Sequence, residues 1–198
     1  GTTLGADNGV GVAAALAAMT DPSVVHGPLE LLFTIDEETG LTGAQRLDAS
    51  LLKGKVLINL DSEQHGELCM GCAGGADTVA WLDLQRAPLD TTGLQPAQVL
   101  VRGLKGGHSG VDIHLGRANA LHLLRDALVR AVSLGIGVHL VSFAGGSKRN
   151  AIPREAEALV WTDDFARLQQ VMERETSAMA GRYAVAEDGI RLELLPAE

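Results

Sequence analysis

The sequence predicts an α/β unit followed by an α+β unit, and three observations predict it. Two nearly continuous apolar runs, LELLFTI (29–35) and KVLINL (55–60), alternate with helix-like segments early in the chain, as buried strands of a parallel sheet do. After CAGGAD (72–77) the texture changes to apolar–polar alternation, the pattern of half-exposed antiparallel strands. Two long helical stretches, 117–132 and 163–181, are set among those later strands. The boundary between the units is placed near Gly74–Gly75, giving 1–74 and 75–198.

In chain order, ADNGVGVAAALAAM (6–19) reads as a loop leading into an Ala-rich buried helix. The strand at 29–35 follows, then a helix over LTGAQRLDASLL (41–52), then the strand at 55–60. TVAWLDLQ (78–85) and AQVLVRGL (97–104) are expected to be strands, and RANALHLLRDALVRAV (117–132) an amphipathic helix. IGVHLVSF (136–143) and EAEALVWT (155–162) are strands again. DDFARLQQVMERETSAMAG (163–181) is a helix opening on two acids, which suits its dipole. GIRLELL (189–195) is the last strand, and the second unit is expected to form an α+β sandwich. The sequence contains no internal repeat and no low-complexity tract.

Bulk properties exclude several functions. Hydrophobic residues make up 46% of the 198, enough for a buried core. The formal net charge is −9 with no block of Lys and Arg, which argues against nucleic acid or an anionic membrane as partner. No apolar run reaches the roughly 18 residues a membrane span needs. No signal peptide is recognisable, and a cytoplasmic location is expected. Cys69 and Cys72, in CMGC, have the spacing of a redox pair or half a zinc site, with reduced loop thiols as the ordinary alternative.

Acids stand where α/β sites stand, past strand ends or before a helix. Asp7 lies in GADNG ahead of the first helix, Asp36, Glu37 and Glu38 follow the first strand in FTIDEETG, and Asp61 follows the second in INLDSE. Each has an ordinary explanation: Asp7 as a helix N-cap, Glu37 and Glu38 as a helix first turn, Asp61 as a turn residue. Together they would crowd one sheet edge with negative charge, for which divalent cations are the usual counter-charge. GADNGVG does not fit the dinucleotide pattern G-x-G-x-x-G, and Asp7 would oppose a pyrophosphate.

TTLGADNGVGVA, FTIDEETGLTGA, LINLDSE, GLKGGHSGVDIHLGRANA and GGSKRNAIPREA, in this order, resemble the M20 family of di-zinc peptidases, and within it the aminoacyl-histidine (Xaa-His) dipeptidase branch. The resemblance implies a metal-dependent dipeptidase in which a metal-activated water attacks the peptide bond of a dipeptide. It implies two zinc ions about 3.5–4 Å apart, with manganese or cobalt as substitutes. Asp7 would bridge the ions, Glu38 and Asp61 would bind one each, and Glu37 would be the general base. The Asp7–Asn8 peptide bond would be cis. Residues 1–74 would be part of the catalytic domain and 75–198 part of a lid through which two chains form a homodimer. His108 would reach the partner's site to stabilise the oxyanion, Asn150 would contact substrate, and Arg117 would hold a substrate carboxylate. For His108 a solvated loop residue, and for Arg117 an exposed first-turn arginine, are the ordinary alternatives.

The family pattern also has two histidine ligands, one in an upstream H-x-D motif and one far downstream; His26 and His65 are in neither context. The chain is therefore expected to be an internal fragment, inactive and weak in metal binding by itself. Another M20 activity, such as a tripeptidase or an amino-acylase, and a non-catalytic M20-like dimerisation protein are the alternatives.

Overall fold

A computed structural model describes residues 6–38, 40–61, 65–72 and 74–197. The chain divides into two units, Gly1–Gly74 and Gly75–Glu198.

In the first unit, helix α1 runs Gly9–Thr20, α2 is a single turn at Thr42–Gln45, and a 3-10 turn covers Ala49–Leu51. The helix at α1 forms where the Ala-rich stretch predicts it, but it is not buried: within this helix only Gly11 is enclosed. The expected helix over 41–52 breaks in two, because Asp48 caps a new turn by accepting from Ser50 N (2.9 Å). Neither 29–35 nor 55–60 forms a strand. Phe33 is 50% and Ile58 77% exposed, so both runs differ from the buried strands expected of them. The physical reason is that a strand persists only when a neighbour takes up its N–H and C=O groups. Among the described residues these segments are tied only at points. The Glu30 carboxylate accepts from Lys53 N and Gly54 N at 2.8–3.0 Å, and Ile35 O accepts from Gly43 N at 3.1 Å.

The second unit carries a full core. Its strands are β1 (Gln95–Arg102), β2 (Gly107–His108), β3 (Val138–Gly145), β4 (Ala151–Ile152), β5 (Ala156–Thr162) and β6 (Arg191–Pro196); its helices are α3 (Ala120–Ser133) and α4 (Phe165–Arg182). A four-stranded antiparallel sheet has the order β3-β5-β1-β6, and β2 and β4 form a separate two-stranded ribbon. Ala97, Val99 and Val101 of β1 and Ala158 and Val160 of β5 point into the core, as the alternation predicts. They meet Leu123, Leu124 and Ala127 of α3 and Leu168, Val171 and Met172 of α4. α3 packs on β1, β3 and β5, and α4 on α3 and β6. The edge strand β3 shifts register between Leu140 and Ser142, a bulge that bends the edge. Residues 78–85, expected as a strand, form none; Trp81 is 90% exposed. Alternation alone brings no partner, and the sheet edges are β3 and β6.

α3 starts at Ala120 because Asn119 caps it, its Oδ1 accepting from Leu121 N at 3.0 Å and His122 N at 3.4 Å. Asn119→Ala should lower the unfolding free energy by about 1 kcal/mol. Urea titration should show this as a lower midpoint at unchanged slope; an unaltered midpoint would remove the cap's contribution.

Candidate active site

The first unit holds all five acids of the sequence motifs, Asp7, Asp36, Glu37, Glu38 and Asp61, and all are exposed. The Asp7–Asn8 bond is cis. Asn8, not Asp7, is the N-cap of α1: its Oδ1 accepts from Gly11 N at 2.9 Å. The N-cap explanation of Asp7 therefore fails, and the Asp7 carboxylate is not committed to capping. The Asn8 amide also donates to Leu60 O at 3.0 Å. That one side chain ties the loop carrying Asp7 to the segment ending in Asp61.

Glu37 and Glu38 sit in a tight turn. Asp36 (φ 55°) and Leu41 (φ 60°) are both left-handed, which reverses the chain on either side of the two acids. Thr42 Oγ1 donates to Asp36 Oδ2 at 3.1 Å, and Glu37 O accepts from Gly40 N (3.1 Å) and Leu41 N (3.0 Å). Gly43 has to be glycine: a Cβ there would lie 2.6 Å from Ile35 O and 2.7 Å from Ile35 N. The turn thus holds the backbone at Glu37, and both Glu37 and Glu38 are exposed to solvent. Among the described residues, no three His, Cys, Asp or Glu side chains stand together as a group able to hold a metal ion. Asp7, Glu38 and Asp61 are also carboxylates only, whereas zinc sites normally include nitrogen or sulfur donors. The donors described on this chain do not by themselves fit a zinc site. Cys69 and Cys72 are free and exposed.

The second unit builds a separate arrangement from one glycine-rich loop. In the β2–β4 ribbon, Gly107 faces Ile152 and His108 faces Ala151. The ribbon continues one step further, where Ser109 N donates to Asn150 O at 2.8 Å. His108 and Asn150, 42 positions apart, are thereby brought side by side. The His108 ring is held from below: Nδ1 accepts from Gly110 N and Val111 N, each at 3.1 Å. A nitrogen accepting two N–H groups carries no proton, so the neutral ring bears its proton on Nε2. An outward N–H donor on a fixed ring is what an anionic oxygen can use.

Asp112 is the pivot of this loop, and the sequence reading passed over it. Its Oδ2 accepts from His108 N at 2.8 Å and from Arg117 Nη1 at 3.3 Å. Arg117 Nη1 also donates to Gly106 O at 2.5 Å. Arg117 is half-buried and its Nη1 braces the loop, so it is not the freely exposed arginine of the ordinary alternative. Gly107, at φ 141°, leaves the room that Arg117 and Asp112 fill. An acid four residues after a histidine in a glycine-rich loop is the local signal that could have singled out Asp112. Beside the loop, an open depression is walled by Ser109, Arg117, His122, Lys148, Arg149 and Ile152, with no acid among its described lining residues.

The second unit is a β-α-β-β-α-β fold that presents a histidine on a side ribbon, and among its described residues no group of three His, Cys, Asp or Glu could hold a metal ion. Residues 99–181 match the peptidase dimerisation domain of the M20 peptidases. The cytosol non-specific dipeptidase of Escherichia coli (strain K12) is 49% identical over 160 residues, 81% of this chain and 33% of that protein. The crystal structure of aminoacylhistidine dipeptidase from Vibrio alginolyticus superposes with TM-score 0.69 at 40% identity, covering 100% of this chain and 40% of that one. Peptidase T of Vibrio cholerae serotype O1 is 41% identical over 71 residues, 34% of this chain and 17% of that protein. The chain is therefore related to the M20 peptidases, with their dimerisation domain in its second unit. It spans about a third of the length of the dipeptidase from E. coli. Among the described residues, no helix is long and apolar enough to cross a membrane.

Proposed function

We propose that this chain serves in a metal-dependent M20 dipeptidase that hydrolyses dipeptides, Xaa-His among them, in the cytoplasm. The observation that carries the reading is the loop at His108: a ring fixed through Nδ1 by two backbone amides, with Nε2–H outward and Asn150 alongside. The similarity to a dipeptidase over 81% of the chain supports the same class.

In this reading Glu37 takes a proton from the attacking water as its oxygen bonds to the peptide carbonyl carbon. The His108 Nε2–H donates to the oxygen that becomes negative in the tetrahedral intermediate. Glu37 then passes the proton to the amine nitrogen as the C–N bond breaks, leaving two amino acids. Asn150 and Arg117 orient the dipeptide. The first unit is part of the catalytic domain and the second part of the lid, which pairs two chains into a homodimer. Asp7, Glu38 and Asp61 would be metal ligands on the resemblance alone, because three carboxylates do not fit zinc unaided.

A chain of full peptidase length carrying this sequence, supplied with zinc, manganese or cobalt, should release histidine from β-alanyl-histidine and other Xaa-His dipeptides. Tripeptides and N-acyl amino acids should react more slowly. A preference for either of those would move the assignment to a tripeptidase or an amino-acylase. The incomplete donor set favours one second reading, a dimerisation protein without catalysis. A folded dimer that cleaves none of these substrates would select it.

A further inference from the structure

Glu187 is a buried acid, 4% exposed, and the proposed reaction gives it no part. Burying a carboxylate is costly unless its oxygens are hydrogen-bonded. Both are. Oε2 accepts from Lys105 N at 2.9 Å and Oε1 from Ala118 N at 3.0 Å. Those amides are the two ends of the loop that carries His108, Asp112 and Arg117. Lys105 leads into β2, and Ala118 precedes the cap of α3. One side chain thus clasps the loop at its base.

The surroundings hold Glu187 as firmly as it holds the loop. Its own N–H donates to Tyr183 O at 2.8 Å, in the turn after α4. Gly189 packs against the Gly103 backbone so closely that a Cβ on Gly189 would lie 2.7 Å from Gly103 O. Leu104, Ala118 and Ile190 belong to the core cluster, whereas Val111 and Ile113 near the loop's tip are exposed. The Lys105 ammonium turns to Asp188 at 3.2 Å. The loop has a buried base and a solvent-exposed tip, and both oxygens of one carboxylate span the base.

We propose that Glu187 is a positioning residue: its carboxylate holds both ends of the 105–118 loop and thereby sets where the His108 ring and Arg117 stand. The benefit to catalysis rests on the lid reading of His108, but the clasp itself does not. Two charge-assisted bonds to amides at opposite ends of one loop couple those ends directly.

The test uses the 198-residue chain, compared with Glu187→Gln, Glu187→Ala and a core control, Val171→Ala. Amide hydrogen exchange is read at Lys105, Ser109, Asp112 and Ala118 against Val99 and Val160 of the sheet. Removing a buried acceptor should speed exchange at the loop amides about 10–100-fold beyond any change in the sheet. Glutamine keeps one acceptor oxygen and should give an intermediate effect; if the alanine variant fails to fold, the glutamine variant carries the test. Nitrogen chemical shifts of the His108 ring should move from the Nε2–H form towards a mixture in the Glu187 variants. They should stay put in Val171→Ala, which weakens the core without touching the loop. Loop amides that follow the sheet in Glu187→Gln, or a His108 ring unaltered in it, would overturn the proposal. Both readouts belong to the chain itself, so a failure of the dipeptidase reading leaves them interpretable.

Discussion

Glu37→Gln, made in a chain of full peptidase length, is expected to abolish dipeptide hydrolysis while leaving the metal content unchanged. Glutamine has the shape of glutamate and cannot take a proton from water. The Glu37 backbone is held by Gly40 N and Leu41 N at 3.1 and 3.0 Å, between two left-handed residues, so the swap has little to disturb. Loss of a general base typically costs about 10²–10⁴-fold in turnover, and more where the same group also serves as the acid. That is about 3–5 kcal/mol of barrier. Turnover and bound metal should be measured on one preparation. Activity near the parent's would remove Glu37 from proton transfer. Loss of metal would make it a ligand instead.

The second large effect is expected at His108. His108→Ala removes the Nε2–H donor and should lower turnover about 10²–10³-fold, with a smaller change in KM if the bond strengthens only in the transition state. In the proposed lid arrangement the histidine of one subunit serves the site of its partner. Glu37 and His108 lie in different units of the chain, so the two lesions can be placed on different subunits. Mixing full-length Glu37→Gln with full-length His108→Ala should then restore activity. A heterodimer has one site with both residues intact and one with neither. Random exchange in a two-fold dimer makes about half the dimers heterodimers, so recovery should approach roughly a quarter of the parent's activity. Two variants that stay inactive after verified subunit exchange would falsify action across the interface. His108 would then work within its own subunit or only shape its loop.

The two lesions probe unlike supports. Glu37 stands on a turn whose shape is local, within residues 35–43. His108 stands on a loop braced from a distance: by Ala151 and Asn150 across the ribbon, by Arg117 through Asp112, and by Glu187 at the base. Substitutions at those braces should therefore affect His108 and leave Glu37 alone.

Local order determined much of the second unit. The repeat of apolar residues in 117–132 places Leu123, Leu124, Ala127 and Ala131 on one face whatever else the chain does, and that face is buried in α3. Alternation in 97–104 and 155–162 likewise decided which side chains of β1 and β5 face the core. Asn119 marks where α3 begins, a signal written in a single residue. The five motifs were enough to find the M20 relationship, because a motif is a short local string.

Tertiary structure decided whatever needed a distant partner. The runs at 29–35, 55–60 and 78–85 have strand-like composition and form no strand, because a ladder is made between segments and never within one. Asp7 and Asn8 are equally good caps on paper. In the fold it is the Asn8 side chain, not that of Asp7, that accepts from Gly11 N and donates to Leu60 O. Arg117 reads as an exposed first-turn arginine until the folded loop brings Gly106 O and Asp112 to it. Glu187 left no trace in its neighbourhood, since the amides it holds lie 82 and 69 residues away. A buried carboxylate is tolerated only where folding delivers its donors, and the chain's order does not say which distant amides will arrive.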